Sequence, residues 1–282
     1  MFKNQLSIMF VGGPNTREDF HLNPSSELYY MMKGNMILVV MDAGRRREIP
    51  IREGQIFCLP AGVPHSPQRP EKESLGLVVE RKRYEGELDG LRWYTEFESC
   101  DELLWEKLFQ CHDLGKDLVP VVNAYKNSEQ IETRVPLPEL MARGSKFKEN
   151  NSVGNIADPI DLAPWIDAHL DTIIEKGSLD LYGIAPSLEF SVRVVAHSSG
   201  TTVKFPVDTW VYQFRGTCEV IVDTNAQEKG NAEEHHTPLL AGECVTIPAH
   251  TPFQHISKGK TQKDIALSLV VQQHPQVRHN AN

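Results

Sequence analysis

Two stretches of this chain, GQIFCLPAGVPHSPQR at 54–69 and GECVTIPAHTPFQH at 242–255, share one phrase: Gly, five residues, Pro, then a short turn. A phrase written twice in 282 residues predicts one duplicated module, since stacked repeat arrays need three or more copies. The surrounding texture says what the module is. Between residues 35 and 80, NMILVVMDAG, REIPI, REGQIFCLP and SLGLVVE alternate with Gly and Pro turn signals. Short β-rich runs spaced about 8–12 residues apart predict a sandwich or barrel. The same texture returns in LEFSVRVVAH, TWVYQFRGTCEVIVDT, HTPLLAGECVTIPA and DIALSLVVQQ.

What lies between the two β-rich regions reads differently. Residues 101–125, DELLWEKLFQCHDLGKDLVPVVNAY, carry Leu104, Leu108 and Cys111 at helical spacing, broken by Gly115 and Pro120, and are read as a helical flank. A polar stretch without period follows and is read as a linker. PWIDAHLDTIIEKG is then a short helix with Pro164 at its start and Gly177 at its end. The expected fold is all-β dominated: two jelly-roll β-barrels with a few flanking helices. Their expected bounds are 1–137 for the first barrel, 138–154 for the linker and 155–282 for the second barrel.

Charge and cysteine usage narrow the function. The net charge is −9 and no basic run exceeds Arg45-Arg46-Arg47, which argues against nucleic acid or an anionic membrane as partner. A small acidic substrate then needs a local cationic pocket. The five cysteines, Cys58, Cys100, Cys111, Cys218 and Cys244, are odd in number and widely spaced, so they suggest neither a disulfide framework nor a cysteine zinc site. MFKNQLSIMFVGG offers no apolar run long enough for a signal peptide or membrane span, and a cytoplasmic location is expected.

The first copy of the phrase runs Gly54-x5-Pro60-x-Gly62-x2-His65, and upstream Glu27 stands seven residues before Gly34. His21 precedes Glu27 by six residues. Six is even, so one extended strand carrying both would point them to one face. His65 would enter from a second strand, placed by the Pro-x-Gly turn. These spacings resemble the two motifs of cupins, small jelly-roll barrels that often hold a metal in their mouth. Cupins commonly have His-x-His before the Glu; here His21 fills the first place and Asn23 the second. The resemblance implies His21, Glu27 and His65 as ligands of one non-haem Fe²⁺ per chain. Such a facial triad leaves up to three positions open for substrate and O₂. In the second copy, counting from Gly216 and Gly242 maps Glu27 to Thr209, His21 to about Val203 and His65 to Phe253. That barrel is expected to hold no metal, His250 and His255 lying near its mouth without filling a ligand's place. EEHH at 233–236 is read as part of an exposed hairpin.

Four further stretches are more specific: VGGPNTREDFH (11–21), LPAGVPHSPQRP (59–70), GLVVERKR (76–83) and LDGLRWY (88–94). Together they resemble the 3-hydroxyanthranilate 3,4-dioxygenases, densely over residues 6–135 and mainly in architecture beyond, in the monomeric two-cupin form. The resemblance implies extradiol opening of 3-hydroxyanthranilate with O₂ to 2-amino-3-carboxymuconate semialdehyde, the quinolinate precursor in the kynurenine route to NAD. It implies that Arg69 pairs with the substrate carboxylate, where a guanidinium fork gives two parallel charge-assisted bonds. Glu80 would accept from the substrate amino group, Glu27 would border the substrate as well as the metal, and Arg17 would sit beside the O₂ position. Family members carry a further segment before the GGPN stretch, of which this chain has little. SSELYY replaces a more acidic run, and one residue is inserted between Arg69 and Glu80, in the turn PEKES. Two alternatives stay open: a different non-haem iron cupin dioxygenase, against which Arg69 and Glu80 speak, and a non-catalytic binding bicupin, which predicts eroded ligands in both halves.

Overall fold

The computed structural model describes residues 2–3, 5–147, 149–150, 156–183, 188–196, 200–223, 234–258 and 265–273. The chain forms two compact units, one built on Ile8–Leu162 and one on Phe2–Ser7 together with the residues from Ala163 onward.

In the first unit, one sheet orders the strands Leu6–Gly12, Leu75–Arg81, Glu27–Lys33 and Gln55–Leu59. The other orders Leu103–Phe109, Asp89–Tyr94, Phe20–Leu22, His65–Gln68, Met36–Asp42 and Arg45–Ile51. The core lies between them: Tyr29, Met31, Phe57, Leu59 and Val78 of one sheet meet Met36, Leu38, Val40, Ile49 and Ile51 of the other. Fully burying such a side chain contributes on the order of 1.5–3 kcal/mol, and this apolar layer holds the sandwich closed. Alternation along each strand then aims the polar exceptions. Glu27 shares the inward face with Tyr29 and Met31, and Glu80 shares it with Val78. Both acids therefore project into the space between the sheets.

Two expectations need correcting. Residues 101–125 are not one helical flank. Leu103–Phe109 is a strand paired antiparallel to Asp89–Tyr94, and the helix covers Leu114–Lys126. The leucine spacing misled because Trp105 also packs inward, against Trp93 and Tyr125, and cross-strand aromatic packing outweighs helical propensity there. The helix begins where the Asp113 side chain accepts from the Gly115 N–H, and it carries Pro120 in its interior. His21 and Glu27 do not share a strand either: His21 lies in Phe20–Leu22 of one sheet and Glu27 opens Glu27–Lys33 of the other. The turn Asn23-Pro24-Ser25-Ser26 carries the chain across. Within the stretch read as a linker, Pro138–Arg143 is a short helix, while Ser145 and Glu149 accept from the Arg92 guanidinium.

The second unit repeats the plan. Phe190–Val195, Leu267–Gln273, Thr209–Arg215 and Cys244–Ile247 form one sheet, and Glu234–Leu239, Thr217–Asp223 and Phe253–Lys258 the other. Thr209 pairs with Ile247 and Gln272, just as Glu27 pairs with Leu59 and Glu80. Val203 bridges Phe253 as His21 pairs with His65. The turn glycines Gly54 and Gly242 both adopt positive φ, +80° and +93°, which a side chain would strain. Of the EEHH stretch, Glu233 and the residues before it lie outside the described residues; His235 and His236 are exposed on Glu234–Leu239.

A buried histidine gives this unit a pH dependence. His255 Nε2 lies 3.0 Å from Ser268 Oγ, which donates to Gln213 Oε1 at 2.6 Å. Burial pulls its pKa down to about 4 from the ordinary 6.5. Between those values the unfolded imidazole is protonated and the folded one is not, so stability falls as pH drops through the window. At 1.36 kcal/mol per pKa unit the loss is on the order of 3 kcal/mol. His255→Asn is therefore expected to lose less melting temperature between pH 7 and pH 4.5 than the parent chain. An unchanged pH profile would show that His255 is not the group responsible.

Candidate metal centre

At one end of the first unit's core the inward-facing side chains turn polar. Glu27 is the first residue of its strand, and His65 is the first of a strand that pairs His21 directly. His21, Glu27 and His65 are all buried, and each offers a ligand atom within 4.8 Å of the other two. Glu27 Oε1 lies 3.0 Å from His65 Nε2 and 3.5 Å from His21 Nδ1. Among the described residues this is the one such cluster, and Thr209 and Phe253 of the second unit contribute nothing comparable.

The outer nitrogens of both imidazoles are committed elsewhere. His65 Nδ1 lies 2.9 Å from the Val63 carbonyl, and His21 Nε2 lies 2.7 Å from Asp89 Oδ2. Each acceptor requires the proton on that outer nitrogen, which leaves the lone pairs of His65 Nε2 and His21 Nδ1 facing Glu27. This is how metal-binding histidines are fixed in tautomer and orientation. The donor set, two imidazoles and one carboxylate with no thiolate, suits a divalent first-row metal such as iron. The residues present therefore fit the metal that the motif implies.

Asn23, which stands where cupins commonly have a further histidine, is not idle. Its side-chain amide donates to Glu27 Oε1, and its own oxygen accepts from the Ser25 N–H and hydroxyl at 2.8 Å. Tyr29 donates its hydroxyl to Glu27 Oε2. A carboxylate buried this deeply costs several kcal/mol unless it is matched. Burial alone would raise the Glu27 pKa, but the two histidines hold it well below the ordinary carboxylate range. For His21, burial works against the charged form, yet Asp89 and Glu27 outweigh it and raise the pKa to about 9, so without metal Nδ1 carries a proton near neutral pH and metal binding must displace it to free the lone pair.

Asp89 is in turn held by Arg83, whose Nε and Nη2 donate to its two oxygens at 2.7 and 2.6 Å. Nη1 of the same guanidinium donates to Glu80 at 2.8 Å. Glu80 sits directly across from Glu27 on the neighbouring strand. Burial and then the Glu27 charge raise its pKa, with Arg83 and His21 pulling the other way. Asp89→Asn is expected to weaken metal binding about 10–100-fold, the usual cost of losing such an outer partner. Competition with a chelating dye measures this, and an unaltered affinity would mean that Asp89 does not support His21.

The arginines named from sequence differ in their ties. Arg69 is buried, its backbone exchanging hydrogen bonds with Asn15 in both directions at 2.7 Å. Its Nε is buried without a hydrogen-bond partner among the described residues. Burial lowers its pKa, against the attraction of Tyr29 and Glu27. Gly76 lies beside it: a Cβ there would be in ordinary contact with Arg69 Nε and Nη2 at 3.7 Å but would crowd Met31 Sδ at 2.9 Å. Arg17, by contrast, forks onto Asp19 through Nε and Nη2 and is partly exposed. Its charge still reaches Glu27 and Tyr29. Sequence reasoning missed Asp89, Arg83 and Tyr29. Arg83 and Asp89 lie within two of the family-like stretches, but nothing local marks them as supports of the site.

Comparisons with known proteins bear on this centre. A family model described as 3-hydroxyanthranilic acid dioxygenase matches residues 1–126. The mouse protein named 3-hydroxyanthranilate 3,4-dioxygenase is 42% identical over 272 residues, 95% of this chain and 87% of its own. The human protein of the same name is 39% identical over 86% of this chain and 82% of its own. The Nematostella vectensis protein of that name is 37% identical over 80% of this chain and 78% of its own. The three relatives match through both halves of the chain, and the family model through the first. A solved mutant oxalate decarboxylase of Bacillus subtilis is far more distant, at 17% identity and TM-score 0.48 over 95% of this chain and 69% of that one, too slight a likeness to bear on chemistry.

Proposed function

The chain belongs to the 3-hydroxyanthranilic acid dioxygenase family, and from that premise we propose how its first barrel works. It is a dioxygenase that opens the ring of 3-hydroxyanthranilate with O₂, giving 2-amino-3-carboxymuconate semialdehyde and so feeding quinolinate and NAD synthesis. His21, Glu27 and His65 hold one Fe²⁺. Bound there, the metal would supply Lewis-acid and redox chemistry to the substrate and O₂.

The chain's own groups bind and orient. Arg69 takes the substrate carboxylate; its buried Nε is a donor waiting for an acceptor, and a guanidinium fork fixes the ring plane as well as the charge. Glu80, steadied by Arg83, accepts an N–H of the substrate amino group. Arg17 lends positive charge to the O₂ side through Nη1, which its fork onto Asp19 leaves unused. Tyr29 and Asn23 keep both Glu27 oxygens from turning away. Held this way, the substrate's reacting carbons meet O₂ without a separate encounter, an advantage worth several kcal/mol of barrier. The same reading makes the chain a cytosolic monomer with small-molecule partners only. No helix among the described residues is long and apolar enough to cross a membrane.

One observation carries this reading: the convergence of His21, Glu27 and His65, lone pairs inward, in a chain of this family. The test is anaerobic reconstitution with Fe²⁺, followed by 3-hydroxyanthranilate and air. The semialdehyde absorbance should rise with one O₂ consumed per substrate. Metal-loaded protein that forms no product would reject the assignment.

A further inference from the structure

Among the described residues the second barrel gathers no cluster of metal ligands, yet it is not filled. A cavity of about 240 Å³ opens inside it, walled by Val203, Phe205 and Phe253 among other apolar residues. Its polar lining is one-sided. Arg193 and the exposed Lys176 face it, and among the described residues no carboxylate does, although the whole chain carries a net charge of −9. The Arg193 Nε is buried without a hydrogen-bond partner among the described residues. Its Nη2 donates to Gln272 Oε1 at 2.6 Å, and Gln272 Nε2 donates to Thr209 Oγ1 at 2.7 Å. Thr209 holds the place that Glu27 holds in the first barrel, so this relay ties a fixed cation to the position where the metal ligand was lost. The corresponding strand of the first barrel, Leu6–Gly12, reads LSIMFVG and has no charged residue. The cation is thus particular to the second barrel.

His255 completes the lining. Ser268 gives its own proton to Gln213, so it accepts from His255 Nε2–H, and Nδ1 is left as an acceptor. An uncharged acceptor does not add to anion binding; it favours a ligand with a donor on its body.

We propose that the second barrel binds a small organic monocarboxylate, its carboxylate on Arg193 and its apolar body against Val203, Phe205 and Phe253. A partly buried guanidinium without an acidic partner among the described residues calls for an anion, and apolar walls select against inorganic ones. The volume falls below the usual 300–1,000 Å³ of drug and cofactor sites, so the ligand is fragment-sized.

The test is calorimetric titration of the full chain with benzoate and with hexanoate. It is run on Arg69→Ala, so that the arginine of the first barrel contributes nothing. One site per chain is expected, with Kd below about 1 mM for at least one probe, the range open to a ligand of about nine heavy atoms. Arg193→Met in that background should weaken binding at least about tenfold, and so should exchanging benzoate for neutral benzamide. Val203→Phe, which fills the cavity while leaving Arg193 in place, should abolish binding and serves should Arg193→Met fail to fold. Failure of both probes to bind, or binding that survives Arg193→Met, overturns the proposal.

Discussion

Replacing His65 by alanine is expected to strip the metal from the protein while leaving the first barrel folded. His65 offers one of three ligand atoms from the start of a short strand, and its other nitrogen bonds the nearby Val63 carbonyl. Two ligands would remain, one of them a carboxylate that has just lost a partner at 3.0 Å. Losing an outer partner of a metal ligand already costs about 10–100-fold in affinity, so loss of the ligand itself should exceed about 100-fold. Ring opening should fall with metal content. The apolar layer beneath, from Tyr29 to Ile51, is untouched, so melting temperature and circular dichroism should stay near those of the metal-free parent. Phe253→Ala, at the matching place in the second barrel, should leave metal content unchanged. A His65→Ala protein that retains stoichiometric metal after dialysis would mean the ion sits elsewhere.

Arg69→Ala should act on substrate and spare the metal. The guanidinium is buried, and its Nε has no hydrogen-bond partner among the described residues. A carboxylate arriving there meets a donor already desolvated and aimed. Truncating one partner of a buried, hydrogen-bonded charge pair costs about 2–5 kcal/mol, so kcat/KM should drop by roughly 30- to 5,000-fold, mostly through KM. Lysine should rescue only in part, because a single ammonium cannot form the fork. The decisive comparison uses 2-aminophenol, which lacks the carboxylate. The parent chain should turn it over poorly, and Arg69→Ala should make it no worse. Equal losses on both substrates would show that Arg69 shapes the barrel and does not hold the carboxylate.

The sequence made the site legible where spacing alone carries the information. The Pro-x-Gly turn before His65 and the strand-like runs around Glu27 and Glu80 are local features, and they reappear in the structure as strand ends and strand parity. His21 was legible from the cupin-like motif, but the even spacing to Glu27 also suggested a shared strand, whereas Pro24 breaks the run and the two residues face each other from opposite sheets. The residues that tune the centre were not legible. Asp89 is 68 positions from His21 and meets it only through strand pairing, and Arg83 gains its meaning from touching Asp89 and Glu80 together. Asn23 looked like a ligand lost, but its amide holds Glu27 in place. Arg17 kept its nearness to Glu27 while Asp19, two residues along, took up most of its fork. In the second half the repeated phrase led only to the expectation of a barrel without metal; the tie from Arg193 through Gln272 to Thr209 depends on three strands lying side by side.

The central claim is that one metal ion, held by His21, Glu27 and His65, underlies ring opening. Anomalous scattering from crystals grown anaerobically with Fe²⁺ tests it most directly. A single strong peak is expected in the first barrel, within bonding distance of His21 Nδ1, Glu27 Oε1 and His65 Nε2, with none in the second. Active, iron-loaded protein showing its peak at any other residues would contradict the account.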